Sequence, residues 1–187
     1  EPDVPGTMAG ARSRSMEWRD ILGELIDNAF DAGATRVEII VNGREITIED
    51  DGVGCDDLEK MLTMGRHSRK TTTRHGRYGV GLKDAAWWVG GPTLIVTIHN
   101  GTRRRIRLDW DRMTEWSAPA PLVEKTDKRG TSIRFEAIGK ERRFPDGERL
   151  EKLLAELAFT YTPALKDNRQ IVFRRGRGEP VILQRFR

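Results

Sequence analysis

ELIDNAFDAGAT, residues 24–35, decides how the rest of the chain is read. It puts Glu24, Asn28 and Asp31 on one stripe of a helix, at i, i+4 and i+7. The helix is predicted over 16–32, because Trp18, Ile21, Leu22, Leu25, Ile26, Ala29 and Phe30 recur at three- and four-residue steps and Gly33 supplies a stop. On its polar side Glu17, Asp20, Glu24, Asp27, Asn28 and Asp31 share one arc. Solvated helix faces usually mix signs, since Glu–Lys pairs one turn apart stabilise them. This face has no lysine. Glu17, Asp20 and Asp27 read as ordinary solvated surface, whereas Asn28 with Glu24 one turn earlier suits a magnesium site with a general base beside it.

Working outward, RVEIIVN (36–42) and REITIED (44–50) alternate apolar and polar residues and join at Asn42-Gly43, a strong hairpin signal. Asp56 and Glu59 open a short helix through Met64, and the basic, threonine-rich segment 65–78 reads as a mobile loop. GVGLKDAAWWVG (79–90) is a glycine loop entering a helix, in which Trp87 and Trp88 pack. A second Asn-Gly hairpin joins TLIVTIH (93–99) to TRRRIRLDW (102–110), and 111–129 is predicted as loop. TSIRFEA (131–137) is a strand, ERLEKLLAELAFTY (148–161) an amphipathic helix ended by Pro163, and RQIVFRR (169–175) a last strand. Hairpins interspersed with helices predict an α+β two-layer sandwich: one mixed, largely antiparallel sheet with helices on one face. Residues 1–15 read as a flexible arm or an expression remnant, 16–175 as one domain, and 176–187 as a basic C-terminal segment.

A chain of 187 residues is long enough for a proper core. With 33% charged residues and no apolar run that could cross a bilayer, no membrane partner is expected, and a cytoplasmic setting is the default. The single Cys55 excludes an internal disulfide, and His67, His75 and His99 lack metal-ligand spacing. The net charge of +4 is unevenly spread, with basic clusters at Arg66–Arg77, Arg103–Arg107 and Arg174–Arg187. Such clusters can grip phosphates, although Arg103–Arg107 reads better as a solvated strand face.

Two glycine-rich segments add chemistry to the stripe. DDGVG (50–54) follows a strand, so a planar ligand could approach the backbone closely and Asp50 could accept a hydrogen bond from an exocyclic amine. Alone, it reads equally as a turn leading into a helix. GRYGVGLK (76–83) lacks the Lys-Ser or Lys-Thr of a Walker A loop and reverses the order of the Rossmann glycines. Its backbone amides at a helix N-terminus nonetheless make an anion site.

Taken in order and spacing, these segments resemble the GHKL ATPases, in particular the MORC, MutL, gyrase B and heat-shock chaperone branch. The matching positions are Glu24, Asn28, Asp31 and Ala32, then Asp50, Gly52 and Gly54, then Gly76, Gly79 and Gly81, with Gly130-Thr131 before a late strand. The resemblance covers residues 16–175 and implies a Bergerat-type α/β sandwich that binds ATP with Mg2+. On that likeness Glu24 would be the general base, Asn28 the magnesium ligand, and Asp50 the reader of the adenine amine, aided by Thr131 directly or through water. Gly76, Arg77, Tyr78, Gly79, Val80, Gly81 and Leu82 would wrap the phosphates, and 65–75 would be the lid. Lys83 would touch phosphate or cap the site, and Asp31 would support the site or serve the fold.

The resemblance implies an ATPase, with a nucleotide cycle that orders the lid and drives dimerisation or conformational change. Hydrolysing relatives take a further group from a following transducer domain, and 176–187 reads as the first strand of one or as a linker. Binding is therefore better supported than turnover, and a non-hydrolysing, nucleotide-gated interaction module is the alternative. A histidine-kinase-type domain ranks lower, because no phosphoacceptor histidine lies on an upstream helix. A serine-kinase type of the anti-sigma kind stands as a further alternative. The partners implied are a nucleotide-dependent homodimer and nucleic acid reached through flanking domains. Direct nucleic-acid binding ranks low, since stacking aromatics are not interleaved with the arginines.

Overall fold

A computed structural model of the chain describes residues 15–58, 62, 81–110 and 120–185. Helix α1 (Trp18–Asp31) starts with a capping box, in which the Glu17 side chain meets the Asp20 amide and the Asp20 carboxylate takes the Glu17 amide at 2.9 Å. It ends as Gly33 turns left-handed at φ 74°: the Gly33 amide bonds Phe30 O and the Ala34 amide bonds Ala29 O, a Schellman closure that reverses the chain into β1.

Strands β1 (Arg36–Asn42) and β2 (Glu45–Asp50) form the first hairpin. Asn42 is its last ladder residue, opposite Glu45, so Gly43 and Arg44 are the turn and only Gly43 takes a positive φ, 61°. The Asn-Gly turn predicted here is thus a Gly-first turn. The hairpin of β3 (Pro92–His99) and β4 (Thr102–Asp109) does turn on Asn100-Gly101, both with positive φ. Helix α2 (Gly81–Val89) precedes it. Leu58 and Leu62 are helical and buried, in keeping with the short helix predicted there, whose Glu59 and Met64 lie outside the described residues.

The predicted loop 111–129 is overturned at its end, where β5 (Leu122–Lys125) pairs antiparallel with β4. All its residues are exposed, so no alternation of burial betrayed it in sequence. After β6 (Gly130–Phe135) come helix α3 (Gly147–Thr160) and a short α4 (Thr162–Lys166), with Tyr161 between them. Pro163 lies in the first turn of α4, where its missing amide proton costs nothing. Strand β7 (Gln170–Arg175) then pairs parallel with β1, and β8 (Val181–Ile182) pairs antiparallel with β7.

The eight strands form one sheet in the order β5-β4-β3-β6-β2-β1-β7-β8, antiparallel except at β1–β7. This is the α+β two-layer sandwich predicted. One face buries Ile39, Ile48, Ile133, Ile95, Ile106 and Phe173 beneath the helices. The other carries ion pairs such as Arg174–Glu38 and Arg107–Glu136, both 2.7 Å. Trp87 and Trp88 pack as predicted: Trp88 meets Trp18 edge-on at 5.5 Å and Trp87 meets Trp110 at 6.0 Å. Among the described residues no helix is long and apolar enough to cross a membrane. Ile39 is fully buried at the centre of the sheet, so Ile39→Ala should lower urea-measured stability by about 2–5 kcal/mol. Exposed Glu45→Ala should change it by no more than about 0.5 kcal/mol.

Candidate nucleotide site

The end of β2 meets the start of β6, with Asp50 opposite Thr131. Gly130 sits at φ 112°, and a Cβ there would overlap the Asp50 carbonyl oxygen, so only glycine lets the strands close at this point. Asp50 Oδ1 accepts the Gly52 amide at 2.8 Å and the Thr131 amide at 3.3 Å. Oδ2 has no partner among the described residues and is open to a donor. Burial pushes the Asp50 carboxyl up from the usual aspartate range, and the two amides pull against that shift.

The loop after Asp50 folds back onto the end of α1. The Val53 amide donates to Ala32 O at 3.0 Å, and a Cβ on Gly52 would come 2.9 Å from that oxygen and 3.1 Å from Ala32 Cβ. The small pair Ala32 and Gly52 is therefore a packing requirement. Gly54, at φ 72°, presses on β3, where a Cβ would overlap Ile98 O. Glycines 52, 54 and 130 together let the end of α1, the end of β2 and β3 close tightly on the segment around Asp50.

Glu24 projects from α1 towards the start of α2, and a Cβ on Gly81 would overlap Glu24 Oε2. Asn28, one turn on, is exposed, and its amide makes no side-chain hydrogen bond among the described residues. Asp31 is likewise exposed and Ala32 half-buried. In α2, Leu82 and Lys83 are buried at 8% and 3% exposure, and burial pushes the Lys83 ammonium below its usual pKa, with Asp84 opposing. The predicted phosphate-wrapping residues Gly76, Arg77, Tyr78, Gly79 and Val80 and the lid 65–75 lie outside the described residues. The structure thus sets Glu24 against Gly81 and Asp50 opposite Thr131, while Asn28 and Asp31 lie exposed along the last turns of α1.

Three residues escaped the sequence reading. Asp27, read there as solvated surface, is half-buried and accepts the Tyr161 hydroxyl at 2.9 Å, a proton Tyr161 shares with Gly23 O. That bond pins the Glu24 turn of α1 to the α3–α4 junction. Burial, with Asp27 beside it, holds the Tyr161 hydroxyl well above the ordinary tyrosine pKa. Asp51 braces the start of β1, taking the Thr35 amide at 2.7 Å, the Thr35 hydroxyl at 2.6 Å and the Arg36 amide at 2.9 Å. Thr97, fully buried on β3, accepts the Cys55 amide at 2.7 Å. Its inward position was readable from the alternation of Thr93, Ile95 and Thr97, whereas nothing local points from Asp27 to Tyr161.

Asp50 is a half-buried carboxylate with one oxygen unpartnered among the described residues, which suits an amine donor. Among the described residues no cluster of three His, Cys, Asp or Glu could hold a metal. Mg2+ commonly relies on one or two protein oxygens completed by phosphates, and the open Asn28 amide fits that pattern.

The chain belongs to the histidine kinase-, DNA gyrase B- and HSP90-like ATPase family, whose model matches residues 16–139. Within it the chain is similar to the ATPase morc-1 of Caenorhabditis elegans, 40% identical over 86 residues covering 43% of this chain and 10% of that protein. It is also similar to the mouse ATPase MORC2B, 37% identical over 92 residues, 43% of this chain and 9% of that one. The MutL mismatch repair protein of Leuconostoc citreum is 39% identical over 64 residues, 32% of this chain and 10% of MutL. The matched stretches thus span only about a tenth of these relatives. In three dimensions, the 43K ATPase domain of Thermus thermophilus gyrase B, solved with an aminocoumarin, superposes with a TM-score of 0.61. That match covers 90% of this chain and 46% of the gyrase chain at 21% identity, and shows a shared fold.

Asp51 gives a pH-dependent test of the loop's anchorage. Burial works to raise its carboxyl, but the Thr35 hydroxyl and the Arg36 and Thr35 amides outweigh it and hold the group below the usual range. A folded pKa below the unfolded one stabilises above the unfolded value of about 3.9 and loses that contribution as pH falls through the folded value. Asp51→Asn should therefore cost about 1–2 kcal/mol in urea unfolding at pH 7. The gap from wild type should close below about pH 4.

Proposed function

We propose that the chain is an ATP- and magnesium-binding ATPase domain whose cleft takes the base at Asp50 and the phosphates at the start of α2. The observation that carries this reading is the opposition of Glu24 to Gly81: a carboxylate from α1 standing at the helix N-terminus where phosphate oxygens would be held. In this reading the free Asp50 oxygen accepts the adenine amine, and Thr131 lies beside it. The amide oxygen of Asn28 ligates Mg2+, which neutralises phosphate charge when bound. Glu24 orients a water and takes its proton as that water attacks the terminal phosphorus; ADP carries away the electrons of the broken bond. Backbone amides of 76–82 hold the phosphates, Lys83 supports them, and Asp31 and Ala32 hold the end of α1. Ordering of the lid 65–75 and association of two copies complete the proposed cycle. The process driven in a longer protein, nucleic acid included, would be set by flanking domains.

Two results support the reading in advance of any assay. Residues 16–139 match the model of the histidine kinase-, DNA gyrase B- and HSP90-like ATPase family, and the similar MORC proteins are themselves named ATPases.

Glu24→Gln keeps the side chain's size and removes its basicity. It should lower steady-state phosphate release by about 100-fold or more while leaving ATP affinity by calorimetry within about threefold. Equal turnover by wild type and variant would remove Glu24 from the chemistry. Tight ATP binding by wild type with no turnover would make the domain a nucleotide-gated interaction module instead.

A further inference from the structure

The inner face of the sheet is aliphatic at its centre, with the buried Thr93 taking the Trp110 indole N–H at 2.8 Å on one side of that centre and a polar row ending at Arg104 on the other. The register runs Asp50 opposite Thr131, Thr131 opposite Thr97, across β2, β6 and β3. One step back, the row Ile48, Ile133 and Ile95 is wholly aliphatic. Thr97 has no solvent exposure, so its hydroxyl must find its partners within the protein.

Those partners fix a direction. Thr97 Oγ1 accepts the Cys55 amide at 2.7 Å and lies 3.3 Å from Thr131 Oγ1, where either hydroxyl could donate. No other acceptor for the Thr97 proton exists among the described residues. If Thr131 donated to Thr97, the buried Thr97 proton would be left without an acceptor, an arrangement that folded proteins avoid. Donation from Thr97 to Thr131 satisfies both the donor and the acceptor capacity of the buried Thr97 hydroxyl. The Thr131 proton is then left to donate elsewhere, on a residue whose amide already meets the Asp50 carboxylate at 3.3 Å. The Gly54–Ile98 approach holds the Cys55 amide over Thr97 and so keeps the relay in place.

We infer that Thr97 is the positioning residue for base selection: it makes Thr131 a hydrogen-bond donor, so that Asp50 and Thr131 present an acceptor beside a donor. That edge complements a 6-aminopurine, whose amine donates and whose adjacent ring nitrogen N1 accepts. A 6-oxopurine presents the reverse order, an accepting oxygen beside a donating N–H. This inference rests on the nucleotide reading above and adds how the site tells one purine from another.

The test is calorimetric binding of Mg-ATP, Mg-GTP and Mg-1-deaza-ATP, in which N1 is replaced by C–H, to wild type, Thr97→Val and Thr97→Ser. Wild type should prefer ATP to GTP by about 100-fold and to 1-deaza-ATP by about tenfold. Thr97→Val should reduce the ATP:GTP preference about tenfold and bring ATP and 1-deaza-ATP close together. Thr97→Ser, which restores the hydroxyl, should recover the wild-type preferences. The 1-deaza-ATP comparison on wild type needs no variant to fold. Equal wild-type affinity for ATP and 1-deaza-ATP, or an unchanged ATP:GTP preference in Thr97→Val, overturns the inference alone. Failure of wild type to bind either purine nucleotide overturns the nucleotide reading and this inference together.

Discussion

Gly130 has no room for a side chain against the Asp50 carbonyl, and the site depends on that close approach. Because β6 can press onto the end of β2, Thr131 lies opposite Asp50 and its amide reaches the carboxylate. The same closure sets the register with β3, which brings Thr97 into the row. A residue with a Cβ at 130 would have to pry the two strands apart, since the atom it would strike is backbone and cannot rotate away. The contact therefore belongs to the fold and to the site at once.

Helix α1 supplies the other half. Its buried face, including Ile21, Leu22, Leu25 and Ile26, locks it to the sheet. Its polar face carries Glu24, which meets Gly81 at the start of α2, and the exposed Asn28. Three tethers fix how that face is presented: the Schellman closure at Gly33, the Val53–Ala32 bond, and the Tyr161 hydroxyl on Asp27. The loop that follows Asp50 thus touches both the helix and β3. Rigid elements hold the chemical groups, as precise positioning requires.

What the sequence made legible was local. A period of 3.6 identified α1 and its unusual acidic stripe, and alternation identified the hairpins. What stayed hidden was non-local or lacked a burial pattern. Asp27 looked like surface because its partner is 134 residues away. The parallel β1–β7 pairing bridges the ends of the domain and leaves no mark within either strand. Strand β5 is a short edge whose side chains all face water, so a loop was the natural expectation. Residues 176–185, read as linker or as the start of another domain, instead contribute β8 and the buried Leu183 to this sheet.

The most direct measurement is a crystal structure with Mg2+ and a non-hydrolysable ATP analogue. The account predicts the adenine amine within hydrogen-bond distance of Asp50, the metal on the Asn28 amide oxygen, and the terminal phosphate facing Glu24. A base bound away from Asp50, or a nucleotide seated outside the cleft between α1 and the end of β2, would contradict it.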